Sequence, residues 1–274
     1  MDMLQFLLLP FLAGLVLTGI HAYLGVHVVE RGVIFVDLSL AQIAALGTTV
    51  ALLAGYDVHS HVSYFWSLGF TILGAAIFAL TRVHRETRIP QEAIIGIVYA
   101  VSAAAAILVM SKAPQETEHL KDMLVGNILA VNWHTVIDTA ILYAMVGAFH
   151  FAFRRKFLAI SLGQTETVKN VKLWDFLFYT SFGFVVTSSV AIAGVLLVFS
   201  YLIVPSVGAM LFARSIGRRL AIGWSMGAIV TAVGILLSFH FDLPTGATIV
   251  CTFGIALSLM AIVWALTRGR RGHA

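Results

Sequence analysis

Long apolar stretches repeat along almost the whole chain and constrain its fold more than any other feature. Nine stretches are each about 20 residues long, the length that an α-helix needs to cross the hydrocarbon core of a membrane. They lie near residues 3–28, 33–55, 62–82, 91–111, 134–153, 173–191, 193–213, 220–239 and 246–267. The sequence therefore predicts an all-α polytopic membrane protein with about nine transmembrane helices.

The composition agrees with a membrane location. Hydrophobic residues make up 60% of the 274 residues and charged residues only 11%, whereas soluble domains contain about 25% charged residues. The single cysteine, Cys251, excludes an internal disulfide framework. Basic residues occur in short clusters between the apolar stretches, which is typical of membrane topology signals and does not indicate nucleic-acid binding.

The division between the sixth and seventh stretches is the least marked. Residues 173–213 form one apolar run that is too long for a single crossing and is interrupted only by Thr187, Ser188, Ser189 and by Gly194. We predict two helices joined by a tight turn. Merging them would leave eight helices and would spread the basic clusters over both sides of the membrane.

The basic residues also predict the orientation of the chain. If the arginine-rich C-terminal tail, residues 268–271, is cytoplasmic, nine crossings place Met1 outside. The cytoplasmic connections then hold 15 of the 17 lysines and arginines, and only Lys112 and Lys121 lie outside. This split follows the positive-inside rule, and it predicts one transmembrane domain over residues 1–274 with the N-terminus outside and the C-terminus cytoplasmic.

Several catalytic motifs are absent from the sequence. There is no G-x-x-x-x-G-K-[ST] phosphate loop, no H-E-x-x-H zinc motif and no G-x-S-x-G nucleophile elbow. The sequence therefore predicts no catalytic residues, and it predicts a function within or across the bilayer rather than an enzyme.

A few polar residues lie within the predicted helices and are candidates for a transport pathway. Ionisable groups at membrane depth are costly and therefore functional candidates by default. The candidates are Asp37, Ser39, Gln42 and His21. For Asp37, an anchor near the inner interface is an equal alternative; for His21 and His150, a hydrogen bond between helices is favoured over metal ligation.

Acidic and histidine side chains gather in the predicted outer connections. Carboxylate and imidazole together suit a borderline divalent cation such as Zn²⁺ or Mn²⁺. A polar, solvated rim is the alternative for each single residue. The candidates are Asp57, His59 and His61 in one connection and Glu116, Glu118 and His119 in another, where Asp122 also lies, with His134, His240 and Asp242 at further outer ends.

Residues 194–219, GVLLVFSYLIVPSVGAMLFARSIGRR, resemble a motif of the membrane permeases of bacterial zinc and manganese ABC importers. In that family an apolar helix ends in a proline, which ends or bends the helix. A short cytoplasmic helix follows, here near residues 206–217, and fits a cleft on the ATPase subunit. The matching positions are Pro205, Ser206, Gly208, Ala209, Arg214 and Gly217.

Three further segments are similar to the same family: residues 30–47, 92–100 and 122–131. Together with residues 194–219 they are spread in order over residues 30–219, and the resemblance implies a bundle like that of type II ABC importers. In the usual helix-two pattern an Asp precedes a His by four positions. Here Leu38 and Gln42 stand at those positions, Asp37 and Gln42 are about 140° apart around a helix, and Asn127 stands where the family often has Asp.

The resemblance implies the permease subunit of an ATP-driven importer in the bacterial cytoplasmic membrane, with Zn²⁺ or Mn²⁺ as cargo and no covalently bound cofactor. It also implies three protein partners: a separate ATPase, an extracytoplasmic binding protein and a second copy of the chain. Because of the helix-two departures, a metal chelate or other small molecule carried by the same machine stays an alternative. A secondary transporter coupled through Asp37 and His21 would predict paired broken helices or an internal repeat, and neither is evident.

Overall fold

The structure is a computed structural model that describes residues 3–57, 60–82, 89–112 and 128–269. Within these ranges it contains nine α-helices, two single-turn 3-10 helices (Ile128–Ala130 and Thr165–Thr167) and no strand. The α-helices are α1 (Met3–Arg31), α2 (Val36–Leu53), α3 (His61–Leu80), α4 (Gln91–Met110), α5 (Trp133–Ala152), α6 (Arg154–Ser161), α7 (Val171–Phe212), α8 (Ile216–Phe241) and α9 (Thr245–Gly269). The predicted all-α class is confirmed.

Eight of these helices, all but α6, are long and apolar enough to cross a membrane. Helix α9 shows the expected outward face, because Ile255, Leu259, Ile262 and Leu266 are spaced three or four residues apart and are all more than half exposed. Such a stripe suits contact with lipid chains rather than water. The chain is therefore a multi-pass membrane protein.

Helix α7 contains the predicted sixth and seventh crossings without a loop between them. Its 42 residues would measure about 63 Å as one straight helix, roughly twice the hydrocarbon thickness. Gly194 interrupts it with φ 74° and ψ 160°, a conformation that residues with a β-carbon rarely adopt. Two helical arms result, residues 171–193 and 195–212, and each is long enough for one crossing. The residues Thr187 to Ser189, which also suggested a break, are helical.

The described helices group into two compact units that are interleaved along the chain. The first contains residues 3–29, 128–143 and 192–269, and the second contains residues 30–57, 60–82, 89–112 and 144–191. Each unit is therefore assembled from segments that are distant in sequence.

In the second unit, α2 packs against α3 through small residues. A β-carbon added at Gly47 would lie 2.8 Å from both the Ser67 Cα atom and the Trp66 carbonyl oxygen, and one added at Gly74 would overlap the Ile43 side chain. The Ser67 hydroxyl donates a hydrogen bond of 3.0 Å to the Ala44 carbonyl. Small residues allow this close approach, as is usual between membrane helices.

In the first unit, α1, the second arm of α7, α8 and α9 share a core around Tyr201. The Tyr201 side chain is fully buried, its hydroxyl lies 2.7 Å from the Thr231 hydroxyl, and its ring meets the Phe253 ring edge-on. The Trp224 indole N–H donates to the Gly19 carbonyl across 3.0 Å. These contacts join four segments of the unit.

The short helix α6 lies in the connection between α5 and α7 and was not predicted. Phe157 and Ile160 are buried while Arg154, Arg155 and Lys156 are exposed, so the helix is amphipathic. The spacing of its two buried apolar side chains, three residues apart, is the sequence signal that indicates it.

Candidate transport site

Asp37, the first of the predicted pathway residues of α2, lies in the first turn of that helix. Its side chain is only 2% exposed, and the backbone N–H of Leu38 hydrogen-bonds the carboxylate. Among the described residues, the Oδ1 atom has no hydrogen-bond partner. Buried carboxylate oxygens are normally satisfied, so this free oxygen marks the position as unusual.

A second carboxylate, Glu92, reaches the same end of α2 from the first turn of α4. Its Oε1 atom accepts a 2.8 Å hydrogen bond from the backbone N–H of Phe35, the residue that caps α2, and the N–H of Ile34 also bonds to this carboxylate. Phe35 is two residues before Asp37, so this bond places the Glu92 carboxylate beside the first turn of α2. In the described part of the chain the Glu92 Oε2 atom is buried and has no hydrogen-bond partner.

The other two predicted pathway residues of α2 lie further along the helix. Ser39 is fully buried, and no described residue hydrogen-bonds its hydroxyl. Gln42 is half-buried. Because α2 is an unbroken helix, Ser39 and Gln42 share a face while Asp37 lies about 140° away from Gln42. The chain thus does not reproduce the family's Asp and His pair.

His21, the remaining pathway candidate, belongs to the first unit. It is fully buried; its Nδ1–H donates a 2.8 Å hydrogen bond to the Leu17 carbonyl of its own helix, and its ring lies edge-on to Tyr143 at 6.0 Å. His150, in the second unit, makes the expected contact between helices, because its Nε2 atom is 2.8 Å from the Ser181 hydroxyl of α7.

A buried ionic cluster lies where α1, α3 and α7 end or begin in the second unit. The Asp175 carboxylate is 1% exposed and pairs with the guanidinium groups of Arg31, at 2.8 Å, and of Arg82. Arg31 also donates to the Ser161 hydroxyl and lies over the Phe178 ring, with its Cζ atom 3.8 Å from the ring centroid. A cavity of about 430 Å³ adjoins the cluster.

The six predicted ATPase-coupling residues lie at the junction of α7 and α8. Pro205 and Ser206 are within α7, where the Ser206 hydroxyl donates to the Leu202 carbonyl at 3.0 Å and the Ala22 carbonyl at 3.3 Å. Ala209 is buried, and Gly208 lies against Met226 and Met260. Arg214 and Gly217 are exposed at the connection and the start of α8.

The coupling helix predicted near residues 206–217 stays a prediction, and the structure gives the helix bounds in this region. Residues 206–212 continue α7, residues 213–215 connect, and α8 begins at Ile216. Pro205 lies inside α7 and lacks one backbone donor there, and the Ser206 hydroxyl that follows it donates to the Leu202 carbonyl.

The structure describes only some of the acidic and histidine residues predicted in the outer connections. His59, Glu116, Glu118, His119 and Asp122 lie outside the described residues, as does Asn127. Asp57 and His61 are exposed near the start of α3, where the Asp57 backbone carbonyl accepts from the Ser60 and Ser63 hydroxyls at 2.7 and 2.6 Å. His134 pairs with Asp138 at 2.8 Å on the exposed surface of α5, while His240 and Asp242 are exposed at the end of α8.

Over the part of the chain that the structure covers, no group of three or more His, Cys, Asp or Glu side chains is arranged to hold a metal ion. Two acidic residues with hydrogen bonds or ion pairs between helices, Glu92 and Asp175, were not predicted from the sequence as candidates. Glu92 and Asp175 are isolated acids within otherwise apolar helices, and that isolation is the signal that could have found them.

The long apolar helices of the described residues, with buried polar side chains among them, define a polytopic membrane protein. The profile of the ABC 3 transport family matches residues 3–265. The chain therefore belongs to the ABC 3 transport family.

The sequences of individual relatives align with this chain over most of their length. The manganese transport system membrane protein MntC of Listeria monocytogenes is 28% identical over 237 residues, 81% of each chain. The chelated iron transport system membrane protein YfeC of Yersinia pestis is 26% identical and aligns over 79% of this chain and 80% of its own. Among solved structures, PsaBC from Streptococcus pneumoniae, in complex with Fab, has a TM-score of 0.76 at 22% identity, covering 94% of this chain and 93% of that chain, and it shares the fold.

Proposed function

We propose that this chain is the membrane permease subunit of an ATP-driven importer that moves a divalent metal ion, Zn²⁺ or Mn²⁺, across the bacterial cytoplasmic membrane. The observation that carries the proposal is the family match over residues 3–265 of a chain with eight helices able to span a membrane. The name of the Listeria relative supports a metal cargo. The chain acts as a homodimer with a pathway between the two copies.

Energy comes from a separate ATPase subunit that docks at the junction of α7 and α8. The exposed side chains of Arg214 and Arg218 are available to this partner. The side chains of Ala209 and Ser206 are buried and pack in the core beside the junction. The Arg219 guanidinium Nε–H donates to the Ala213 carbonyl at 3.1 Å and fixes the path of the connection. A rigid connection transmits movement of the ATPase to both helices.

The orientation follows the positive-inside rule. The ends of α1, α3, α5, the second arm of α7 and α9 are cytoplasmic, Met1 is outside, and the outer residues Asp57 and His61 face the delivery protein. Cargo enters from that protein and passes the polar residues Asp37, Ser39, Gln42 and His21.

A metal chelate is the second candidate cargo. The name of the Yersinia relative supports it, and so does the helix-two departure, because Gln42 replaces an imidazole that would bind a bare ion well. The same machine would then recognise a larger ligand.

The test is uptake by proteoliposomes that contain the full chain with its ATPase and delivery protein. We expect ATP-dependent uptake of one of Zn²⁺, Mn²⁺ or Fe²⁺, and lower uptake for Asp37→Asn and Gln42→Ala, with ATPase association unchanged. Stimulation of ATP hydrolysis by a chelate and by no free ion would favour the second candidate. Uptake that needs an ion gradient but no ATPase subunit would contradict both.

A further inference from the structure

We propose that Asp37 and Glu92 together bind a divalent cation at the N-terminal end of α2. The two side chains come from different helices, α2 and α4, and the Glu92 carboxylate accepts the N–H of Phe35, two residues before Asp37. This site is distinct from the family's Asp and His pattern, since Leu38 and Gln42 stand at those positions.

The unsatisfied oxygens of the two carboxylates argue for a ligand. In the described ranges, Asp37 Oδ1 and Glu92 Oε2 are both buried and lack hydrogen-bond partners, while the other interactions of each carboxylate go to backbone N–H groups. Leaving a charged oxygen buried without a partner is costly. A cation bound by the two free oxygens removes this cost.

The donor atoms indicate which kind of cation fits. Carboxylate oxygens without a thiolate or imidazole suit hard or borderline ions such as Mn²⁺, Mg²⁺ or Ca²⁺, whereas Zn²⁺ sites in proteins are usually built with His or Cys. Two carboxylates leave several coordination positions for water. Such a partly hydrated site holds an ion weakly, as a transport station requires, and among the cargo candidates it favours Mn²⁺.

The place of this site on the transport route rests on the proposed function. In the proposed orientation, the N-terminal end of α2 is at the cytoplasmic side, so the site is the last station before release. The binding itself can be measured without transport, ATP or a delivery protein.

The experiment titrates Mn²⁺ into the full chain, held with its ATPase partner in lipid nanodiscs without nucleotide, and follows the electron paramagnetic resonance signal of free Mn²⁺. We expect Asp37→Asn and Glu92→Gln each to weaken Mn²⁺ binding at least about tenfold. We expect the double variant to bind Mn²⁺ with the same affinity as the single variant that binds it more weakly. Glu166→Gln removes an exposed acid from the same unit and is expected to leave binding unchanged.

Both amide variants keep an oxygen that can accept from the backbone, so α2 is expected to stay capped. Thermal unfolding checks this, and the charge-conserving Glu92→Asp variant, which is expected to retain binding, separates ligand loss from misfolding. Wild-type affinity in both amide variants would overturn the proposal. A higher unfolding temperature for Asp37→Asn without any change in Mn²⁺ binding would also overturn it, because the pair would then share a proton. Failure of uptake in proteoliposomes with intact binding here would instead contradict only the proposed function.

Discussion

Gly25 of α1 lies directly against the backbone carbonyl of Leu202 in α7. A β-carbon at position 25 would overlap that carbonyl oxygen and the Ser206 hydroxyl, which itself bridges the carbonyls of Ala22 and Leu202. The two helices therefore touch backbone to backbone within the first unit, beside the proposed ATPase-coupling junction.

Gly25→Ala is expected to lower the free energy of unfolding by about 1–3 kcal/mol or more, since backbone atoms cannot move aside as a flexible side chain can. Unfolding in mixed micelles of detergent and SDS, followed by tryptophan fluorescence, measures the change. Gly19→Ala in the same helix is the control, because a β-carbon there meets nothing within 4 Å. Equal stability of the two variants would contradict the close approach.

Asp175→Ala is expected to cost about 3–5 kcal/mol of unfolding free energy, because it leaves the buried Arg31 without its carboxylate. Unfolding in mixed micelles of detergent and SDS measures this loss of stability as well. The matched control is Asp138→Ala, which removes an exposed partner of His134 and should change stability by less than about 1 kcal/mol. A loss no greater than that of the control would show that the buried cluster contributes little.

Gly194→Ala is expected to destabilise the chain by about 1–3 kcal/mol, because φ 74° is strained for a residue with a β-carbon. Gly147→Ala, also within a helix but with open space around its β-carbon position, should be neutral or slightly stabilising. Unfolding midpoints of the two purified variants provide the comparison. Unchanged stability of Gly194→Ala would mean that the two arms of α7 can be joined without a left-handed backbone conformation at this residue.

Arg214→Glu is expected to weaken ATPase association at least about tenfold, which corresponds to about 1.4 kcal/mol, while leaving the free energy of unfolding unchanged, because the side chain is exposed. Affinity of the purified permease for immobilised ATPase subunit measures it. Lys112→Glu makes the same charge change at an exposed position beyond the end of α4, on the proposed outer side. Equal affinities for the two variants would place the docking surface elsewhere.

The membrane helices could be predicted from the sequence because each crossing needs its own long apolar stretch. The break at Gly194 was predictable for the same reason, since residues 173–213 exceed one membrane thickness. The exact end of this helix could not be predicted, because a proline can end or bend a helix, and α7 continues past Pro205 to Phe212. The hydrogen bond from the Phe35 N–H to Glu92 depends on which helices are neighbours, and periodicity within one helix carries no such information.

The hydrogen bond from Phe35 to Glu92 ties the start of α2 to α4, while Gly47 and Gly74 close the gap between α2 and α3. We expect these three helices to turn as one rigid body rather than slide past one another. The Glu92 carboxylate would then stay attached to the start of α2, and release of an ion from the proposed cation site would require other segments to move against these three helices.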